Sequence, residues 1–220
     1  MEIDHIFICA KINAPEAEAL KSFGLTEGSP NSHPGQGTAN RRFFFHNTFI
    51  ELLWLHDANE AQNDITRPMF LHERFTLKDG ATSPFGICFR PSPGDDKSVP
   101  FAAWPYRPAY LPAGMEVSIG EGTPLSEPMW FYLSFATRPD NAPSARRQPL
   151  THPIGFFELT SVRITRPSTE QKSGPAMWAI ETARIELFDG NEHLLELGFD
   201  GEKVGNTHDF RPGLPLIFRW

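Results

Sequence analysis

Residues 38–54 read TANRRFFFHNTFIELLW, and this stretch decides the fold class. Its apolar residues form two runs separated by His46 and Asn47, which predicts two antiparallel strands joined by a tight turn. The second run is apolar throughout except for Glu51. An isolated buried carboxylate is costly, so we expect Glu51 to be paired, protonated or bound to a cation. The sequence therefore predicts a functional site on this strand.

The composition is that of a globular protein with short strands and many turns. The chain has 220 residues, of which 40% are hydrophobic and 21% charged, with 21 prolines and 17 glycines. This length allows one large domain or two small modules, and frequent proline and glycine favour ordered turns over long helices. The net charge of −7 gives no basic surface for nucleic acid or anionic lipid. We therefore expect neither nucleic acid nor membrane as a partner.

The sequence also indicates a compartment. Cys9 and Cys88 each lie in an apolar, strand-like run, where a small buried side chain is expected rather than a disulfide or a zinc cluster. The apolar run at residues 6–10 is too short for a signal peptide, and no run approaches the roughly 20 apolar residues of a membrane span. We expect a soluble, cytoplasmic protein.

The start of the chain predicts a compact module. Residues 1–9 predict a strand that carries His5 on one face. Residues 15–23 predict a short amphipathic helix that begins at a proline and is ended by Gly24. With the two strands of residues 38–54 and a weaker one before them, the order is β-α-(β)-β-β.

The middle of the chain, residues 58–154, is predicted to be an irregular insertion with added strands. Proline and aromatic residues are frequent in residues 91–128, which include Trp104 and Tyr106. A loop of this length is usually functional or packs as a cover, so these two rings either line a pocket or pack on the surface. Strands are predicted at residues 85–90 and 129–135, and a turn at Lys78, Asp79 and Gly80.

One strand sequence occurs twice. Residues 48–54 (TFIELLW) match residues 193–199 (HLLELGF), which aligns Glu51 with Glu196. The second copy is predicted to form a hairpin with the strand before it. The first strand of the chain likewise matches residues 159–164, which places Ser161 opposite the histidine. Two copies of one module would turn equivalent positions towards a shared cleft.

The chain resembles the vicinal oxygen chelate superfamily, and within it the glyoxalase-like domain proteins. The resemblance implies an α+β fold in which two βαβββ modules form curved mixed sheets, or half-barrels, around a shared cleft. It places the modules at residues 1–57 and 155–220. The residues that carry it are His5 in IDHI, the turn GQGTANR at residues 35–41, the strand FIELL at residues 49–53 and LELGFD at residues 195–200.

The resemblance also implies a divalent metal (Zn, Mn, Fe or Ni) in the cleft. It assigns His5, Glu51 and Glu196 as ligands. Ser161 falls at the fourth position, where the family usually has His, Gln or Glu, and a hydroxyl is a poor ligand for such an ion. A glutamate that leaves the metal can act as a general base, so Glu51 and Glu196 are also the candidate catalytic residues.

Other residues complete the candidate site. Thr38, Asn40 and Arg41 follow the glycine-rich turn and are candidates to bind a substrate carboxylate or phosphate. Trp104 and Tyr106 are candidates to line the substrate pocket. His72 and His152 are outside candidates for the fourth ligand position.

A structural explanation of the same residues stays open. A histidine on a strand is often a hydrogen-bonded core residue. The two glutamates can instead form buried ion pairs, for which the candidate partners are Arg41, Arg42 and Arg184.

Three functions are compatible with these residues. The first is a metal-dependent glyoxalase-type enzyme (lyase, isomerase or dioxygenase) that acts on a small oxygenated molecule. The second is a metal-free protein of the same fold that binds and sequesters a small ligand between the modules. In the third, the site is vestigial and the chain forms a homodimer through its apolar strands.

Overall fold

A computed structural model describes residues 1–77, 80–183 and 185–220. Most of the predicted turn at Lys78, Asp79 and Gly80 therefore lies outside the described residues, as does Arg184. The described residues form two curved mixed sheets with few helices, which confirms the predicted α+β class. The α-helices of these described ranges are α1 (Ala17–Phe23), α2 (Ala58–Ala61), α3 (Leu71–Thr76) and α4 (Gly174–Thr182).

The first sheet has eight strands. They are β1 (Glu2–Cys9), β2 (Asn31–His33), β3 (Thr38–Phe44), β4 (Phe49–Leu55), β5 (Phe85–Arg90), β6 (Ala103–Tyr106), β7 (Val117–Gly120) and β8 (Met129–Tyr132). Their order is β2-β3-β4-β1-β5-β8-β7-β6. β1 is parallel to β4, β5 is parallel to β8, and β1 and β5 meet antiparallel at the centre. The two halves therefore have the same strand arrangement on either side of the β1–β5 junction.

The second sheet has five strands. They are β9 (Leu159–Arg166), β10 (Ile185–Asp189), β11 (Leu194–Phe199), β12 (Thr207–Asp209) and β13 (Leu216–Arg219), in the order β10-β9-β11-β13-β12. β9 lies between β10 and β11, so the predicted hairpin of the last two is wrong. The periodicity of the sequence identified both strands, but it carried no information on which strand separates them.

The strands that pair with the first module come from an unexpected part of the chain. Residues 85–132, expected within an irregular insertion, supply the other half of the first sheet, whereas residues 155–220 form the second sheet. The sequence match aligns Glu51 with Glu196, but the two residues do not occupy equivalent places in their sheets. The strand of Glu51, β4, runs parallel to β1, whereas the strand of Glu196, β11, runs antiparallel to β9. The domain boundaries at residues 57 and 154 stay a prediction.

Strand β4 is apolar on both faces because both faces are covered. Ile50 and Leu52 pack in the core shared with the second sheet. Glu51 and Leu53, on the alternate face, line a cavity. The predicted strand and the burial of its one carboxylate are thereby explained by the same alternation.

Helix α1 ends as the sequence predicts. Gly24 adopts the left-handed conformation (φ 115°), and its N–H donates to the carbonyl oxygens of Leu20 and Lys21. None of the described helices has the length and apolar character that a membrane crossing requires. The cytoplasmic location stays a prediction.

A buried carboxylate ties the first sheet to the second. Glu127, just before β8, accepts hydrogen bonds from Trp130 Nε1 (3.1 Å), Arg166 Nη1 (3.0 Å) and Ser173 Oγ (2.6 Å). Arg166 belongs to β9, and Ser173 caps α4 by accepting from Ala176 N. Since these groups come from both sheets and a helix, Glu127 fixes their relative positions.

Candidate functional site

The first sheet encloses a cavity of about 380 Å³ on the face opposite the shared core. Its lining combines a small polar group of side chains, called the polar end, with a larger apolar group. The polar end consists of His5, His33, Gln36 and Glu51. The apolar group consists mainly of Phe7, Leu53, Leu71, Val117, Ile119, Met129 and Phe131. Within it, Phe131 meets the His5 ring edge-on, with 5.3 Å between ring centroids. The cavity therefore suits a molecule with one polar and one apolar end.

His5 is held in one orientation by its neighbour in the sequence. Its Nδ1 lies 2.7 Å from Asp4 Oδ2, and Asp4 Oδ1 lies 3.4 Å from Arg90 Nη1. Successive side chains of a regular strand point to opposite faces, but the β1–β5 ladder has an irregularity between Ile3 and His5 that allows this contact. The ring also stacks on Phe49, with 4.7 Å between ring centroids. With Nδ1 bound to a carboxylate, Nε2 is left to face the cavity.

Glu51 lies opposite this histidine and is almost fully buried. Its Oε1 accepts a hydrogen bond of 2.8 Å from Asn40 Nδ2. Its Oε2 is 4.0 Å from His5 Nε2, which is too far for a direct hydrogen bond. The two groups thus border a gap in which one further polar atom can contact both.

Electrostatics favours a charged imidazole here. Burial alone would lower the pKa of His5, but the carboxylates of Glu51 and Asp4 outweigh it, so that the pKa of His5 is raised above 6.5. His33 behaves differently, since burial dominates and lowers its pKa. Burial also lowers the pKa of Arg42, which Glu51 partly offsets. The positive charge of the polar end is therefore concentrated on His5 and Arg42.

The open side of the curved sheet is bridged by a contact between its two edges. The hydroxyl of Tyr110, in the β6–β7 connection, donates to Gln36 Oε1 (2.9 Å) in the β2–β3 turn. Gln36 Nε2 donates in turn to Thr38 Oγ1 (2.8 Å), which also contacts His33 Nδ1 (2.9 Å). These bonds link β2 and β6, the two edge strands, across the cavity.

The predicted substrate-binding residues occupy different places. Thr38 and Asn40 are buried behind the polar end, where they position Gln36 and Glu51. Tyr106 lines the cavity, whereas Trp104 does not and lies in a neighbouring chamber. Arg41 is also absent from the cavity, because its guanidinium forms ion pairs elsewhere, with Glu27 (2.6 Å) and Glu18 (2.7 Å).

The structure does not bring Glu196 to His5 and Glu51. Glu196 lies on β11 in the second sheet, and its carboxylate is paired with Arg219, whose Nε is 2.7 Å away. The open alternative of an ion pair is thus realised for Glu196, with an arginine that the sequence argument did not consider. The repeat failed as a guide because the two glutamate strands have different neighbours, as described above.

The other proposed ligand positions are also occupied by structural contacts. Ser161 Oγ donates to Glu202 Oε1 (2.6 Å) in the second sheet. His152 is buried, accepts from Thr26 N through Nδ1 (3.0 Å), and contacts the carbonyl oxygen of Phe44 through Nε2 (2.8 Å). His72 is not among the residues that line the cavity.

The donor groups do not fit a resident divalent metal. Catalytic sites of this kind use at least three protein ligands, but within the described part of the chain no third His, Cys, Asp or Glu is grouped with His5 Nε2 and Glu51 Oε2 across the cavity. A second cluster exists, in which ligand atoms of Asp4, His5 and Cys88 lie within 4.8 Å of one another. However, two of these three ligand groups are already engaged, since Asp4 is hydrogen-bonded to His5 Nδ1 and paired with Arg90. The implied Zn, Mn, Fe or Ni therefore finds no set of three free donors in either place among the described residues.

Several site residues were missed from the sequence. Asp4 gave no signal, because neighbouring residues of a regular strand point to opposite faces and the irregularity between Ile3 and His5 is seen only in the structure. Gln36 and Tyr110 gave no signal, since their contact joins turns far apart along the chain. Phe131 and Met129 were assigned to a strand, but the pairing of β8 with β5 was needed to place them in the cavity.

Comparisons with known proteins agree with this fold. Residues 3–103 match the family model of the glyoxalase-like domain. A hypothetical protein from Staphylococcus aureus has a similar crystal structure, with a TM-score of 0.52 and 10% sequence identity, over 99% of this chain and 98% of that chain. At this identity the similarity concerns the fold alone. A search of the curated proteins gives no significant match.

Proposed function

We propose that this chain binds a small molecule with a hydroxyl group on an apolar body. Its residues 3–103 match the glyoxalase-like domain, which is consistent with the vicinal oxygen chelate superfamily. The observation that carries the proposal is the gap of 4.0 Å between His5 Nε2 and Glu51 Oε2 at the polar end of the cavity. The apolar body would lie against the apolar part of the lining, beside Leu53 and Phe131.

The geometry of the gap supports a hydroxyl as the bridging group. An oxygen at about 2.8 Å from both atoms would subtend an angle of about 90° across the gap, which a hydroxyl can use to donate to one side and accept from the other. Glu51 can only accept when ionised, and a protonated His5 can only donate. A hydroxyl satisfies both groups at once, whereas a carbonyl or an ammonium satisfies one of them.

Benzyl alcohol and toluene form a matched pair of probes, since they share the ring and differ in the hydroxyl. We expect benzyl alcohol to bind with an affinity at least about tenfold higher, because a hydrogen bond to a charged group contributes about 1.5–3 kcal/mol. Isothermal titration calorimetry measures both affinities, and chemical-shift changes at His5 and Phe131 locate the bound ring.

Two charge-removing variants provide the control. Glu51→Gln keeps an oxygen for Asn40 but removes the anionic acceptor, so the advantage of benzyl alcohol over toluene is expected to disappear. Glu196→Gln removes a carboxylate in the second sheet and should leave both affinities unchanged. Equal binding of the two probes to the wild-type protein, or an unchanged preference in Glu51→Gln, would contradict the proposal.

The orientation of His5 favours a second candidate, an acid–base enzyme that uses the same cavity. Asp4 holds Nδ1, so the neutral ring presents a free Nε2 that can take up a proton, and the pKa of His5 is raised. 2-Hydroxyacetophenone combines an apolar ring, a hydroxyl and an acidic C–H group. We expect its C–H proton to exchange with D₂O faster in the presence of the protein, as followed by proton NMR. His5→Gln should abolish the exchange, and exchange at the uncatalysed rate with wild-type protein would remove this candidate.

A further inference from the structure

A second chamber lies beside the main cavity, and the function proposed above does not use it. Its volume is about 250 Å³. Met69, Ile119 and Met129 line both spaces and therefore separate them. The chamber has one buried cation and several rings in its wall, contributed by Arg74, Phe70, Trp104 and Trp130.

Arg74 is a buried cation for which the described residues provide no counter-ion. Arg74 is only 6% exposed. Nη1 donates to the carbonyl oxygens of Ser83 (2.9 Å) and Glu127 (2.8 Å), whereas Nε is buried and has no hydrogen-bond partner. Within residues 1–77, 80–183 and 185–220, no carboxylate forms an ion pair with this guanidinium. Burial lowers the pKa of Arg74 to about 10, against the attraction of Cys9, Glu127 and Glu73.

The other fully buried arginines differ in this respect. Each of them is neutralised by two carboxylates: Arg90 by Glu2 and Asp4, and Arg166 by Glu127 and Asp189. A buried charge that lacks a partner is costly, and a bound anion removes that cost. Among the described residues, Arg74 lacks the carboxylate partners that Arg90 and Arg166 have. This is the arrangement expected of an arginine that binds an anion.

The rings give the chamber a flat apolar wall. Trp104 is partly exposed, and Phe70 is 48% exposed at the start of α3. Phe70 has a left-handed backbone (φ 55°), which is uncommon for a bulky residue and recurs at ligand-binding positions. Glu121 also lines the chamber, but it is exposed, where water and salt screen its charge.

We propose that this chamber binds a small organic anion, a carboxylate on a flat apolar body. The carboxylate pairs with the guanidinium of Arg74, and the body lies against Trp104 and Phe70. Arginine provides a planar set of donors that matches a carboxylate, and an aromatic body is suited to the rings of the wall.

Benzoate and benzamide test the proposal on the full-length protein labelled with ¹⁵N-arginine. We expect benzoate to move the Nε–H resonance of Arg74 and to bind with an affinity at least about tenfold above that of the neutral, equally flat benzamide. Arg74→Lys assigns the resonance by removing it. Equal affinities, or an Arg74 Nε–H resonance that benzoate leaves unmoved, would overturn the proposal.

Thr123 allows a test that leaves Arg74 in place. It lines the chamber, and its hydroxyl donates to the carbonyl oxygen of Gly120 (3.2 Å). Thr123→Asp adds a negative charge, and Thr123→Asn adds a neutral side chain of the same size. We expect benzoate to bind about tenfold more weakly to the Asp variant than to the Asn variant. Identical affinities would count against the anion site, while the role of Glu51 in the main cavity would be unaffected.

Discussion

At the scale of single residues, two opposing effects determine the pKa of His5. Burial disfavours its positive charge, and two carboxylates, Glu51 and Asp4, favour it more strongly. Because the pKa of His5 in the folded state lies above its ordinary value, the charged ring stabilises the fold at pH values below that ordinary value. This contribution is lost as the pH rises through the folded-state pKa.

Removal of the negative charge of Glu51 should weaken the attraction that raises the pKa of His5. We expect Glu51→Gln to lower the pKa of His5, since burial then acts against a weaker attraction. NMR titration of the imidazole resonances measures the change. Glu196→Gln, whose carboxylate is paired with Arg219 in the other sheet, is the matched control and should leave the titration of His5 unaltered. An unchanged or raised pKa in Glu51→Gln would contradict the arrangement described here.

The sequence predicted individual polar residues better than it predicted their partners. An acidic residue in an apolar strand identified Glu51, and the first strand identified His5, because both signals are local. Glu196 carried the same local signal and proved to be paired with Arg219. The local sequence pattern indicates that a polar side chain is buried. Its hydrogen-bond or ion-pair partner depends on which strands become neighbours in the sheet.

At the scale of elements, the junction of β1 and β5 determines the floor of the cavity. Phe7 on β1 pairs with Gly86 on β5, and the ring of Phe7 lies over the glycine. A Cβ atom at residue 86 would be 2.0 Å from Phe7 Cε1. The absence of a side chain at this position therefore makes room for a cavity-lining ring.

Gly86→Ala should destabilise the protein by about 1–3 kcal/mol, because Phe7 or the strand must move. Chemical denaturation measures the change in the free energy of unfolding. Gly174→Ala is the control: an added Cβ there meets no atom within 4 Å, and alanine is the better helix former, so stability should be equal or slightly higher. Equal stability of wild-type protein and Gly86→Ala would show that the junction is looser than described.

Strands were predicted well, but their order was not. The apolar runs of β4, β5 and β8 predicted these elements correctly. The second half of the first sheet was not recognised within the insertion expected at residues 58–154, because its strands β6 and β7 have four residues each and lie among prolines. Short strands of this kind leave little periodicity to detect.

At the scale of the whole molecule, the second sheet covers the face of the first sheet that lies opposite the cavity. Residues of both sheets form one core, and Glu127 adds a polar connection to Arg166 and Ser173. The predicted homodimer, by contrast, stays a prediction, which light scattering on the purified protein can test.

Glu127→Gln should lower the free energy of unfolding by about 3 kcal/mol, since it leaves the buried Arg166 with less compensation. Glu192→Gln, at an exposed ion pair with Arg211, is the control and should cost less than about 1 kcal/mol. Urea denaturation compares the two variants. Similar small effects in both would mean that the sheets are held together by the apolar core alone.

A crystal structure of the protein soaked with benzyl alcohol tests the proposed site most directly. We expect the hydroxyl oxygen at about 2.8 Å from both His5 Nε2 and Glu51 Oε2, with the ring beside Phe131. A ring bound only outside this cavity, or a metal ion held between His5 and Glu51, would contradict it.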